Sequence, residues 1–230
     1  VVEAMLKMAA VTKDDILYDL GCGDGRIVVA AAMEREAQAV GVDMDPRRIA
    51  EANALAETVS VTDRVKSLQE DLLTVDSSAA TALTLYLLPS LNLKLKARIL
   101  SELKPGTRVI GHAFNMGRWQ PDAKRAMGGV YIYKWVVPAP VHGTWEWLSE
   151  EGKVYRVELL QAFQMLSGQA WIDGQEVDLL EAKMLGDRVH LSIKASEAEE
   201  ADLFISIYRE GQLLPAADSK QVSVGVRISV

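Results

Sequence analysis

The stretch Tyr18-Asp19-Leu20-Gly21-Cys22-Gly23-Asp24-Gly25-Arg26 limits the fold more than any other part of the chain. Three glycines fall within five positions, directly after the apolar run 16–20 (ILYDL) and directly before the helix-forming run 26–35 (RIVVAAAMER). Glycine accepts positive φ and lets another molecule touch the main chain. A glycine loop between a buried strand and a helix belongs at the carboxyl end of the first strand of an α/β sheet, where such folds bind ligands. The unpaired N–H groups of the new helix point into the same space. The gap therefore fits a flat or narrow ligand pressed against the backbone.

The rest of the chain has the alternation that such a sheet needs. Residues 2–10 read as a short amphipathic helix on Met5, Leu6 and Ala9. Strands are expected at 39–42, 64–68, 80–88 and 107–110, with helices at 26–35, from Pro46 onward, and at 91–103. Asp45 is a good N-cap and Pro46 is favoured at the first helical position. This spacing implies right-handed βαβ units, hence a Rossmann-like, mostly parallel sheet with helices on both faces. From about residue 129 the period changes to two, with Leu203, Ile205 and Ile207 alternating, then Val222, Val224, Val226, Ile228 and Val230. Glu151-Gly152, Asp173-Gly174, Gly186-Asp187 and Glu210-Gly211 punctuate these runs as turns. The expected division is an α/β domain over 1–148 and an antiparallel β-rich region over 149–230, a meander forming a small barrel or sandwich.

The loop spacing discriminates among ligands. Dinucleotide folds use G-x-G-x-x-G, whereas here the spacing is G-x-G-x-G, and Arg26 stands where the third glycine belongs. Asp24 adds a carboxylate beside the helix start, which would repel a pyrophosphate. It suits a cationic ligand without phosphate, a description that matches S-adenosylmethionine. Asp43 closes the second strand about 20 residues further on, where an acid accepts hydrogen bonds from ribose hydroxyls. Asp71, with Glu70 competing for the role, follows the third strand where an adenine amino group needs an acceptor.

Taken as a set, Asp19-x-Gly21-x-Gly23-x-Gly25, Asp43, Asp71 and the Leu103-Lys104-Pro105-Gly106 turn resemble the class I S-adenosylmethionine-dependent methyltransferases over roughly residues 1–148. The segments DLGCGDGRIVVAAA, TLYLLPSLNLKLK and LKPGTRVIGHAFNMGRWQPD are similar to a bacterial group of undefined substrate. GDGRIVVAAA also resembles the protein-lysine methyltransferases related to the one acting on the c-type ring protein of ATP synthase. The resemblance implies that Asp19, Gly21, Cys22, Gly23, Asp24, Gly25, Asp43, Met44, Asp71 and Leu72 hold the cofactor. It implies a methyl acceptor that is a protein lysine or a small molecule. Tyr86, His112, Asn115 and Trp119 lie at strand ends on the acceptor side. Tyr86 could face a sulfonium and His112 could take a proton; core packing is the competing reading for each. The Asn/Asp-Pro-Pro-Tyr type motif of adenine and glutamine amino-methyltransferases is absent from Tyr86-Leu87-Leu88-Pro89.

Composition removes other classes. Cys22 is the lone cysteine, so there is neither an internal disulfide nor a cysteine zinc cluster, and with three scattered histidines no metal site is expected. Without a paired histidine, Cys22 is read as a small loop residue and not as a nucleophile. The net charge of −7 argues against a nucleic-acid partner. Its excess lies in residues 129–230, with 9 Lys+Arg against 15 Asp+Glu. No run reaches the roughly 20 apolar residues of a membrane span, and a cytoplasmic enzyme is expected; an opening at Val1-Val2 is compatible with a removed leader. Two other readings stay open: an NAD(P) enzyme on the same sheet, and a partner-binding module carrying an inactive Rossmann-like domain.

Overall fold

The computed structural model describes residues 1–230. The chain divides into two compact units, Val1–Val137 and Pro138–Val230.

The first unit holds α1 (Val2–Ala9), β1 (Ile16–Leu20), α2 (Arg26–Arg35), β2 (Gln38–Asp43), α3 (Pro46–Thr58), β3 (Val65–Gln69), β4 (Ala82–Leu85), α4 (Pro89–Glu102), β5 (Arg108–His112), β6 (Ala123–Met127) and β7 (Val130–Val136). Local chemistry sets several boundaries. Asp45 caps α3 by accepting from the Arg47 N–H at 2.9 Å, with Pro46 at the first turn. α1 stops where Ala10 turns left-handed at φ 51°. The strands order as β3-β2-β1-β4-β5-β7-β6. β1 to β5 run parallel; β7 is antiparallel between β5 and β6. The order reverses between β1 and β4, and ligands bind at such a switch point, beyond the carboxyl ends of the strands. Leu17, Ala82, Ile110 and Ile132 line one face of the sheet and pack with α1 and α2 residues such as Met5, Leu6 and Val28. At the opposite end of the strands, Arg108 pairs with Asp15 and donates to the carbonyls of Ala9 and Ala10, which ties α1 down. No helix is long and apolar enough to cross a membrane.

The second unit is all β: β8 (Gly143–Leu148), β9 (Val154–Ala162), β10 (Met165–Ile172), β11 (Gln175–Leu185), β12 (Arg188–Lys194), β13 (Asp202–Arg209), β14 (Gln212–Pro215) and β15 (Val226–Ser229). β8 to β14 form a meander, and β15 returns to pair with β8. Leu213 and Gly225 exchange both backbone hydrogen bonds, at 3.0 and 2.7 Å, and so bring the two end strands together and curl the sheet into a barrel. Side chains fill the interior: Trp145, Trp147, Tyr155, Leu159 and Phe204 are buried, with the Trp147 and Tyr155 rings stacked at 6.1 Å. A Cβ on Gly168 would lie 1.9 Å from the Glu158 carbonyl oxygen, so glycine is what lets β9 and β10 close up there. Residues 143–148, assigned by sequence pattern to the α/β part, hydrogen-bond to β9 and β15 in this sheet.

Candidate functional site

The loop between β1 and α2 is held under β2 by the N–H groups of Gly21 and Cys22, which both donate to the Val42 carbonyl at 2.8 and 3.0 Å. All three of its glycines have positive φ (84°, 53° and 79°), yet each serves a different neighbour. A Cβ on Gly21 would sit 2.5 Å from Leu87 Cδ2, and one on Gly25 would sit 2.7 Å from Ala52 Cβ. Gly21 thus admits Leu87, and Gly25 lets α2 start against α3. Gly23 alone meets open space. Its N–H donates to Asp43 Oδ2 at 3.0 Å, while Asp43 Oδ1 accepts from the Asp45 N–H at 3.0 Å. Asp43 therefore locks the loop to the start of α3 and stays at the loop instead of turning out to bulk water.

Beside Gly23 lies a cavity of ≈ 420 Å³, a size that suits a small molecule. Its wall includes Asp19, Gly21, Cys22, Gly23, Asp24 and Tyr86. Met5 of α1, Ile27 of α2 and Arg48 of α3 also line it, and sequence pattern did not single them out for this role. The apolar face of α1 was legible in sequence, but its placement over the cavity depends on tertiary packing.

Asp19 is 1% exposed and accepts a hydrogen bond from Thr84 Oγ1 at 2.7 Å. Burial pushes its carboxyl up to about 7; the Thr84 hydrogen bond opposes this, and Asp43 and Asp24 add repulsion. Such a buried acid favours a cation beside it. Asp24 is different. Its carboxylate is gripped by Arg26, from Nε at 2.9 Å and Nη2 at 2.5 Å, and that hydrogen bonding holds it below the ordinary carboxylate range. Its charge is answered within the loop. Cys22 turns its sulfur toward Gly41, where an added Cβ would lie 2.9 Å from it, and burial pushes the thiol up to about 12. A thiol that keeps its proton is no nucleophile.

Met44, Asp71 and Leu72 follow the ends of β2 and β3 and are not part of the cavity wall. Met44 is exposed; Asp71 Oδ1 accepts from the Leu73 N–H at 2.8 Å, shaping the turn; Leu72 sits with Leu87 near Gly21. On the other side, Tyr86 and His112 extend adjacent strands, with ring centroids 4.0 Å apart. Burial lowers the His112 pKa, which favours neutral imidazole. Trp119 is fully buried, and its carbonyl accepts from Trp135 Nε1 at 2.9 Å, so it belongs to the core and not to an acceptor surface. Asn115 caps its own loop by accepting from the Gly117 N–H at 3.0 Å. No group of three or more His, Cys, Asp or Glu side chains is placed to hold a metal ion.

The cavity wall brings together a main-chain cradle, a buried acid and the Tyr86 ring, and His112 stands against that ring outside the wall. Comparison with known proteins bears on the family. A family model described as the ANTKMT methyltransferase domain matches residues 19–123. A protein-lysine N-methyltransferase of Saccharolobus islandicus is 47% identical over 122 residues, which cover 53% of this chain and 76% of that protein. An adenine nucleotide translocase lysine N-methyltransferase of Mus musculus is 30% identical over 128 residues, which cover 56% of this chain and about half of that protein's length (54%). Among solved structures, an RNA methyltransferase from Salinibacter ruber in complex with S-adenosyl-L-homocysteine has a TM-score of 0.60 and 45% identity, covering 61% of this chain and 92% of that one.

Proposed function

The chain belongs to the S-adenosylmethionine-dependent methyltransferases, and from that premise we propose that it methylates the ε-amine of lysine in a protein. The observation that carries the cofactor side is Asp19, a buried carboxyl with a single side-chain donor, set in the wall of a cavity beside an open glycine. In this reading Asp19 would face the cofactor's ammonium and the Gly23 backbone its flat body, both from the cavity wall; Asp43 and Asp71 lie outside that wall, and their roles toward ribose and adenine rest on the resemblance. When bound, S-adenosylmethionine supplies a methyl carbon already activated by a sulfonium leaving group, so positioning supplies much of the catalysis.

On the acceptor side, a lysine must lose its proton before its nitrogen can attack, since its ordinary pKa is about 10.4. His112 is the base in this reading. Its half-buried imidazole rests neutral and can take that proton once desolvation in the site has lowered the amine's own pKa. The exposed ring of Tyr86, 4.0 Å from it, offers a cation–π face to the arriving ammonium. The relatives named as lysine methyltransferases support this acceptor, as does the absence of the Asn/Asp-Pro-Pro-Tyr type motif after β4. A second reading, RNA as acceptor, is favoured by the name of the Salinibacter ruber enzyme and opposed by the net charge of −7. The lone, buried cysteine fits a reducing, cytoplasmic setting.

Transfer of a labelled methyl group into fractionated extract tests both readings. Label that survives nuclease and appears as methyl-lysine after digestion is expected; label released by ribonuclease would replace the first reading with the second. His112→Ala should lower kcat by about 10² or more while leaving the affinity for S-adenosylhomocysteine unchanged. A variant with full kcat would remove His112 from the mechanism.

A further inference from the structure

Charge is distributed along this chain in blocks. Residues 1–85 carry 8 Lys+Arg against 15 Asp+Glu, and residues 135–230 carry the same numbers. Residues 86–134, from the end of β4 into β7, carry 9 against 2. Two of those cations are used within the protein: Arg98 pairs with Glu102, and Arg108 with Asp15. Lys94, Arg118, Lys124 and Arg125 are exposed, and no carboxylate answers any of them. The fold gathers them beside Tyr86 and His112, beyond the carboxyl ends of β4 and β5. β5, β7 and β6 stand in register His112–Ile132–Arg125, so Arg125 shares a row of the sheet with His112, two strand spacings or about 10 Å away. Lys124 lies 5.5 Å from the Tyr131 ring centroid, and the Tyr131 carbonyl accepts from the N–H of Ala113, next to His112, at 2.8 Å. Arg118 belongs to the loop that continues from there. Asn92 Nδ2 donates to the Phe114 carbonyl at 3.4 Å, and a Cβ on Gly117 would lie 3.3 Å from Leu93 Cδ2, so this loop is seated on the first turns of α4, next to Lys94. Apolar side chains are exposed in the same rim, among them Leu88 at 66%, Leu93 at 48% and Phe114 at 38%.

Whatever enters over Tyr86 and His112 must carry the acceptor, so the occupant of this rim is the substrate itself. On the premise that the acceptor is a protein lysine, we propose that the rim docks an acidic segment of that protein, with Asp or Glu near the target lysine and an apolar residue for Leu88, Leu93 or Phe114. An extended peptide advances about 3.3 Å per residue, so a carboxylate three positions from the lysine spans the distance from His112 to Arg125. Exposed cations steer such a segment and set its register while each adds little affinity. Edge strands also carry Lys or Arg to block pairing with another chain. That accounts for Lys124 and Arg125 on β6, but not for Lys94 or Arg118, which lie outside the sheet. A nucleic acid is an anion too, but it runs past this rim onto a molecule whose other two blocks are each net −7 and repel it. A short acidic segment meets only the cations.

The probes are short synthetic peptides with one central lysine, one flanked by Glu and Leu, the other with Gln in place of every Glu. Binding to the whole chain saturated with S-adenosylhomocysteine is read by fluorescence anisotropy, and methyl transfer separately. At low salt the Glu peptide should bind about tenfold more tightly than the Gln peptide, and the difference should shrink as salt rises. Lys124→Gln with Arg125→Gln, and separately Arg118→Gln, should raise Kd and KM for the Glu peptide by about three- to tenfold. These variants should leave kcat, the affinity for S-adenosylhomocysteine and the thermal midpoint unchanged. A Glu peptide that binds through these cations and gains no methyl group would defeat lysine as acceptor, while the acidic docking surface stands. Equal binding of the two peptides, or unchanged binding in the variants, overturns the docking surface and leaves lysine as acceptor untouched. Single-stranded oligouridylate that binds more tightly than the Glu peptide, and is lost in the same variants, would put RNA in place of the acidic segment. Salt-sensitive self-association abolished by those variants would assign the rim to the acidic residues 135–230 of a second copy, and would equally overturn the proposal.

Discussion

A carboxyl group that is 1% exposed and accepts one side-chain hydrogen bond ionises only at a cost, and at Asp19 that cost sets the pH behaviour of the site. Burial raises its folded pKa to about 7 from the ordinary 3.8. The folded state thus keeps a proton that the unfolded chain has already released, so stability falls as pH rises from about 4 to about 7 and levels above. A cation placed beside Asp19 reverses the preference, because it favours the ionised form. Binding of S-adenosylhomocysteine, which carries an ammonium, should then release a proton below pH 7. Its affinity should rise by up to about tenfold per unit between about pH 5 and 7 and flatten above. Calorimetry in two buffers of different ionisation enthalpy reads the proton directly. Asp19→Asn should weaken binding at pH 8 and abolish the slope; a slope that persists in that variant would assign the linkage to another group.

The β1–α2 loop is an element whose glycines look equivalent in sequence and are not. Gly25→Ala forces a methyl to within 2.7 Å of Ala52 Cβ at a φ of 79°, and should destabilise the unliganded protein by about 2–4 kcal/mol in urea melts. Gly23→Ala meets nothing within 4 Å at a φ of 53° and should cost about 1 kcal/mol, yet it should lose cofactor affinity because its methyl enters the cavity. Equal effects of the two on stability would contradict this division of roles. The spacing announced the loop, but Leu87 and Ala52 are distant in sequence, so which glycine faces the ligand was not legible. α3 was legible because Asp45 and Pro46 define it locally. β6 was not, since its residues are exposed and it is a strand only because β7 pairs with it. The alternation from Val222 to Val230 announced a strand without saying which face turns inward. Asp24 read as an acid for a cationic ligand, because nothing in the spacing showed that Arg26 would fold back onto it.

At the scale of the molecule, two hydrophobic cores lie within one chain, one around α1, α2 and the parallel sheet, the other inside the barrel. Closure of that barrel rests on Leu213 and Gly225, a pair across a loop that no periodicity could reveal, which is why barrel and sandwich were equally compatible with the sequence. Each core lies within its own unit, so each is a candidate folding unit. A ligand stabilises whatever unfolds together with its site, by RT ln(1 + [L]/Kd), about 2.7 kcal/mol at a hundredfold excess over Kd. The cavity is walled by residues of the first unit. Saturating S-adenosylhomocysteine should therefore slow hydrogen exchange in the slowest peptides of residues 16–137, β1 and β4 above all, by about a hundredfold, and leave those from the interior of β9 and β12 unchanged. Equal slowing in the barrel strands would mean that the two cores open as one cooperative body, and the division after Val137 would then be one of geometry and not of stability.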